Sequence, residues 1–122
     1  MSRDLYERAV AISQRAYAPY SNYFVGAAVR TRDGKVFEGV NVENAAYPLG
    51  VCAEKSALAK AVSEGYKPGD IEAIGITASP CGGCRQWLYE FRVDEVTFLS
   101  VTGELATYSA AELLPDTWDL PA

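Results

Sequence analysis

Three cysteines and no histidine occur in this chain of 122 residues. They fall in two short segments, Cys52-Ala53-Glu54 and Pro80-Cys81-Gly82-Gly83-Cys84. Thiolates are good zinc ligands, and three of them leave one corner of a tetrahedral ion open to water or substrate, as catalytic zinc requires. A closed structural site needs four Cys or His ligands, which one such chain cannot supply. Both segments are expected to open helices, where free N–H groups and the helix dipole favour the thiolate. Cys81 and Cys84 share one helical face, and Gly82 and Gly83 leave room for backbone to approach a metal or ligand. Glu54 lies two residues past Cys52, beside a metal rather than on it, and is placed to act as a base. Zinc lowers the pKa of bound water to about 7 in favourable sites. Three thiolates weaken that effect, so a neighbouring carboxylate gains importance.

Each piece alone has a plainer role. A CxxC pair can be redox-active or incidental. Cys52 can be a small buried hydrophobe, and Glu54 can merely complement the helix dipole. Together they converge, because every thiol falls into the pattern and Glu sits at the right offset.

Helical spacing of Leu5, Ala9, Ile12 and Ala16 predicts a helix over 2–16, with Ser2 as its cap. Val25–Thr31 and Val36–Val42, parted by Asp33-Gly34, read as a hairpin. Pro48 and Gly50 end the next loop. Ala57, Leu58, Ala61 and Val62 form a helical stripe from Cys52 to about Glu64, with Gly65 after its end. Ile71–Thr77 reads as a buried strand. Ser79 as cap and Pro80 at the first position open a helix to about Phe91. Val96–Val101 and Leu105–Tyr108 are strands around Thr102-Gly103, and Ser109–Leu114 is a short helix. Strands alternating with helices predict an α/β fold: three layers, α/β/α, around a mixed sheet of about five strands. A single domain spanning 1–122 is expected.

Acidic residues number 16 against 11 basic ones, a net charge of −5. No Lys/Arg cluster marks a nucleic-acid face. No apolar run approaches the ~20 residues of a membrane span, and the N-terminal stretch has no secretory pattern. The expectation is a cytoplasmic protein with neither nucleic-acid nor membrane partners. An odd thiol count argues against a disulfide framework.

A first ligand followed two residues later by Glu, then P-C-x-x-C, is the signature of zinc deaminases, including those with three Cys ligands. The chain resembles the small homotetrameric cytidine deaminases over nearly its whole length. The resemblance is carried by YAPYSNYFVGAAV (17–29), GVNVENAAYPLGVCAEKSALAKAVSEGY (39–66), SPCGGCRQ (79–86) and AELLP (111–115). It implies one zinc per chain on Cys52, Cys81 and Cys84, with Glu54 as proton shuttle. It implies that Asn41 and Glu43 of the NxEN segment bind the ribose, that Tyr23 stacks on the pyrimidine, and that the Ala53 backbone meets the base. In the tetramer it implies that Tyr47 and Trp118 reach a neighbouring subunit's site. The implied reaction is hydrolytic deamination of cytidine or deoxycytidine.

The family usually has Arg where this chain has Lys55, and Lys cannot make the same forked hydrogen bonds. The segment before Pro80 and the C-terminal tail are short, and Tyr23 replaces a Phe. Two alternatives stay open. One is a deaminase of a related aminopyrimidine such as blasticidin S, whose relatives share CAE and PCGxCRQ but lack NxEN. The other is a non-catalytic zinc-binding or redox module.

Overall fold

The computed structural model describes residues 1–120. Five strands form one sheet: β1 (Gly26–Thr31), β2 (Val36–Val40), β3 (Ile71–Ile76), β4 (Glu95–Leu99) and β5 (Leu105–Tyr108). Their spatial order is β2-β1-β3-β4-β5. β1 pairs antiparallel with both β2 and β3. β3 and β4 run parallel, with Ala73 opposite Glu95 and Ile76 opposite Phe98. β4 and β5 close an antiparallel hairpin. The sheet is thus mixed, as the alternation of strands and helices predicts. The helices are α1 (Arg3–Ser13), α2 (Ala53–Ser63), α3 (Gly82–Glu90) and α4 (Ala110–Leu113).

Three layers follow from which side chains each strand turns to each face. Ala27, Val29, Ile74, Ile76, Val96 and Phe98 pack with Ala53, Ala57, Leu58, Ala61 and Leu88, burying α2 and α3 on one face. The opposite face carries Ala28 and Ala73 against Leu5 of α1. The close approach of α1 needs small residues: a Cβ on Gly75 would lie 2.3 Å from the Tyr6 nitrogen. The same holds on the other face, where a Cβ on Gly39 would lie 2.4 Å from the Ala57 nitrogen. No helix among the described residues is long and apolar enough to cross a membrane.

Several boundaries differ from the sequence reading. Ser2 occupies the cap position of α1, but its side chain does not cap the helix. Its hydroxyl donates instead to Glu95 (2.9 Å), and its backbone N–H donates to the Thr97 hydroxyl (3.0 Å). A distant strand outcompetes the local cap. α1 ends at Ser13 rather than Ala16. β2 stops at Val40, and Asn41 follows it. One turn of 3₁₀ helix, Tyr47–Leu49, breaks the loop before α2. α3 starts at Gly82 with Cys81 in the cap position, so Ser79 and Pro80 precede the helix instead of opening it.

Candidate active site

Two helix N-termini meet at one place beside the end of β3. Cys52 is the cap residue of α2 and Cys81 that of α3, and Cys84 lies in the first turn of α3. The approach is set by the fold. The Ser56 hydroxyl of α2 donates to the Val40 carbonyl at 2.9 Å, fastening the start of that helix to the end of β2. β3 runs into the Ala78–Pro80 link and so delivers α3. The Gly26 N–H donates to the Thr77 hydroxyl at 3.1 Å, tying the starts and ends of β1 and β3 together.

The three Sγ atoms all lie within 4.8 Å of one another. Tetrahedral zinc with bonds of about 2.3 Å would hold its sulfurs about 3.8 Å apart, so the trio fits such an ion with small side-chain adjustments. Cys84 is fully buried, Cys52 half-buried and Cys81 exposed. All three are free thiols.

The electrostatics suit metal capture. Cys52 is held down to about 6, first because the Cys84 thiol donates to it, then through Cys81 and the charge of Lys55, against the opposing effect of burial. Cys84 is pushed above its ordinary value by the same bond to Cys52, by burial and by the Glu54 charge. Its proton is the one shared with Cys52. Lys55 stands 6.0 Å from the Trp87 ring centroid.

Glu54 is 4 % exposed. Burial pushes its carboxyl up to about 6, with the Cys52 charge adding to the rise, while its own backbone N–H, Cys84 and Lys55 oppose it. A carboxyl poised near neutral pH can both take and give a proton, as general acid–base chemistry demands.

A pocket of about 200 Å³ opens beside this cluster, lined by Tyr23, Val25, Asn41, Cys52, Ala53, Glu54, Ala78, Ser79 and Cys81. The Asn41 side chain is already engaged at its rim. Its oxygen accepts from the Val25 N–H (2.8 Å), and its amide donates to the Tyr23 carbonyl (2.8 Å). Tyr23 itself is 62 % exposed.

Glu43 and Tyr47 line a neighbouring cleft of about 380 Å³ with Tyr20, Ser21, Asn44 and Gly50. The Glu43 carboxylate accepts from the N–H groups of Tyr20 (2.9 Å) and Ser21 (3.2 Å) and from the Ser21 hydroxyl. The Ser21 hydroxyl, then those N–H groups, hold its pKa below the usual carboxylate range. Trp118 is 72 % exposed in the tail and lines neither cavity.

The fold therefore brings together Cys52, Cys81, Cys84, Glu54, Ala53, Asn41 and Tyr23, and leaves Glu43, Tyr47 and Trp118 outside that pocket within one chain. Val25, Ala78 and Ser79 line the pocket, although the sequence reading gave none of them a role there. Ala78 and Ser79 had a signal, since they directly precede PCxxC. Val25 lies within the 17–29 stretch that carries the resemblance, just before β1.

A family model for the cytidine and deoxycytidylate deaminase zinc-binding region matches residues 1–100. A cytidine deaminase from Halalkalibacterium halodurans is 41% identical over 119 residues, 91% of this chain and 89% of that protein. A probable cytidine deaminase from Dictyostelium discoideum is 45% identical, across 84% of this chain and 73% of that protein. The crystal structure of cytidine deaminase from Burkholderia pseudomallei superposes with a TM-score of 0.88 at 44% identity, covering 97% of this chain and 99% of that one. With its cysteine trio and buried glutamate at two converging helix ends, the chain belongs to the cytidine and deoxycytidylate deaminase family of zinc-binding proteins.

Proposed function

We propose that this protein converts free cytidine or deoxycytidine, with water, into uridine or deoxyuridine and ammonia. The observation that carries the reading is the gathering of three thiols within 4.8 Å of one another next to a buried carboxyl. Cys52, Cys81 and Cys84 would hold zinc. When bound, zinc supplies the Lewis acidity that activates water for attack on the pyrimidine.

The remaining work falls to the chain's own residues. Glu54 takes a proton from the attacking water and passes it to N3, which makes C4 electrophilic. After the water oxygen has bonded to C4, Glu54 takes the remaining proton from the new C4 hydroxyl and hands it to the amino group, so that the C4–N4 bond breaks, ammonia leaves and the C4 carbonyl forms. Tyr23 covers the base, the Ala53 backbone meets its edge, and Asn41 and Glu43 serve the ribose. Glu43 has first to share or exchange its present partners, Tyr20 and Ser21, with the sugar.

A homotetramer with shared sites accounts for the exposed apolar residues around the pocket. Tyr23 of the pocket, Tyr20 and Tyr47 of the neighbouring cleft, and Phe24 and Leu49 are all exposed, and exposed apolar side chains in such numbers suit an interface. Tyr47 and Trp118 would then reach a neighbouring subunit's pocket. A cytoplasmic location agrees with three unpaired thiols.

The test is zinc analysis of purified protein together with an absorbance assay on cytidine, deoxycytidine and blasticidin S. One zinc per chain and turnover of the two nucleosides are expected. Protein that carries zinc but releases no ammonia from either nucleoside would refute the substrate assignment.

A further inference from the structure

Arg85 directly follows Cys84, and its contacts run back toward the other thiol of α3. Its Nε donates to the Pro80 carbonyl at 2.8 Å. Its backbone N–H donates to the Cys81 carbonyl at 2.9 Å. One residue thus holds the peptide carbonyl on each side of Cys81. Two further donors fix the guanidinium: Nη1 to the Leu113 carbonyl (3.2 Å) and Nη2 to the Ser79 hydroxyl (3.3 Å). Among the described residues no carboxylate lies within ion-pair distance of Arg85. Its side chain is committed to backbone and hydroxyl oxygens.

Cys81 needs such a hold more than the other two thiols do. Cys84 is buried in the core. Cys52 sits on a helix fastened to β2 through Ser56. Cys81 is exposed, and its side chain makes no cap bond. Its Sγ direction depends on the two peptide planes that flank it. We propose that Arg85 is the positioning residue that aims the Cys81 thiol at the metal, and that through Leu113 it couples α4 to the metal centre. A guanidinium can do this because its planar fork reaches three acceptors at once, whereas a Lys ammonium on a flexible stem cannot hold the same set. Groups that orient metal ligands typically change metal affinity by 10–100-fold when removed.

This rests on the reading that the three thiols bind zinc. The experiment compares full-length wild type, Arg85→Lys and Arg85→Gln. Zinc affinity is measured by chelator competition, the cobalt-substituted proteins are examined for their thiolate charge-transfer absorption, and metal-free protein is melted as a folding control. Both variants are expected to bind zinc roughly 10–100-fold more weakly and to show altered cobalt spectra. For cytidine, kcat should fall more than KM changes. If Arg85→Gln does not fold, Arg85→Lys decides alone. Wild-type zinc affinity and cobalt spectrum in the folded variants would overturn the proposal. So would full recovery by Lys, since that would make charge and not the grip the cause. Wild type that itself takes up no zinc would overturn the metal reading, and this proposal with it.

Discussion

Asn41 and Tyr23 are joined through the backbone: the Asn41 side-chain amide donates to the Tyr23 carbonyl at 2.8 Å. The same side chain accepts from the Val25 N–H. Asn41 therefore shapes the pocket wall as well as facing its space. Asn41→Ala removes both bonds and should destabilise the fold by about 1–3 kcal/mol, from about 0.5–1.5 kcal/mol per bond. Because the wall carrying Tyr23 is loosened, KM for cytidine should rise about tenfold, equivalent to about 1.4 kcal/mol of binding, with a smaller change in kcat. Steady-state kinetics and thermal melts check both parts, and an unchanged KM would count against the role.

Glu54→Gln keeps the shape of the side chain and removes its proton chemistry. Turnover should fall by at least about 10²-fold, the lower end of what general acid–base catalysis contributes, while zinc content stays at the wild-type level. Parallel metal analysis and activity assays separate these outcomes. A variant with near-normal turnover would remove Glu54 from the mechanism.

The same residue makes a prediction for the metal-free protein. The folded-state pKa of Glu54, about 6, exceeds the ordinary 4.5. Folding therefore favours the protonated form. Well below the unfolded-state pKa this group costs almost nothing; its unfavourable effect grows as pH rises from the unfolded-state value of 4.5 to the folded-state value of about 6, and levels off above it. Above pH 7 the cost approaches about 2 kcal/mol, at about 1.4 kcal/mol per pKa unit. Metal-free Glu54→Gln should thus gain melting temperature relative to metal-free wild type at pH 8, and much less at pH 4.5. An equal difference at both pH values would contradict burial as the cause.

Zinc uptake should be pH-dependent in a particular way. Cys52, at about 6, is already a thiolate above pH 7. Cys84 is held above its ordinary value and must give up its proton to bind metal. Between pH 7 and 9 the apparent affinity should therefore rise with pH, by about tenfold per unit for each proton displaced. Below pH 6 the slope should steepen as Cys52 is also reprotonated. Chelator competition across this range gives the profile. A flat line above pH 7 would mean that Cys84 enters the site already ionised.

Gly39 links the fold to the site. An added Cβ would lie 2.4 Å from the Ala57 nitrogen and 2.8 Å from the Ala53 carbonyl oxygen. These are backbone atoms of α2, so the helix itself must retreat, taking Cys52 and Glu54 with it. Gly39→Ala should cost about 1–3 kcal/mol in stability, as overpacked cores do, and should weaken zinc binding. Gly82→Ala, whose Cβ meets nothing within 4 Å, should keep wild-type stability or better it. Thermal melts and metal content of the two variants give the comparison.

Short-range pattern was enough for much of this molecule. Apolar runs bounded by turn residues marked all five strands, helical stripes marked α1 and α2, because a helix must turn one face to the core, and the Ser79-Pro80 pair announced α3. The chemistry of the site was equally local. Three thiols, no histidine and a glutamate two residues past Cys52 left few metal centres to build. The positive-φ glycines at Gly34 and Gly65 lie at the hairpin turn and just past α2, where their sequence context placed them.

What only the tertiary structure decided were the partners drawn from distant parts of the chain. Ser2 reads as a helix cap, yet its hydroxyl goes to Glu95, on a strand that the sheet brings alongside. Ser79 and Pro80 read as the opening of α3, but Cys81 takes the cap position, and Arg85 claims the Pro80 carbonyl. Glu43 is by resemblance a ribose ligand, yet Tyr20 and Ser21 fold back onto its carboxylate. Periodicity reports which face of an element is apolar. It carries no record of which donor and acceptor come within 3 Å of one another once faces are buried, because that distance is set by sheet order, by glycines that let helices sit close, and by competition among polar groups for the same few partners.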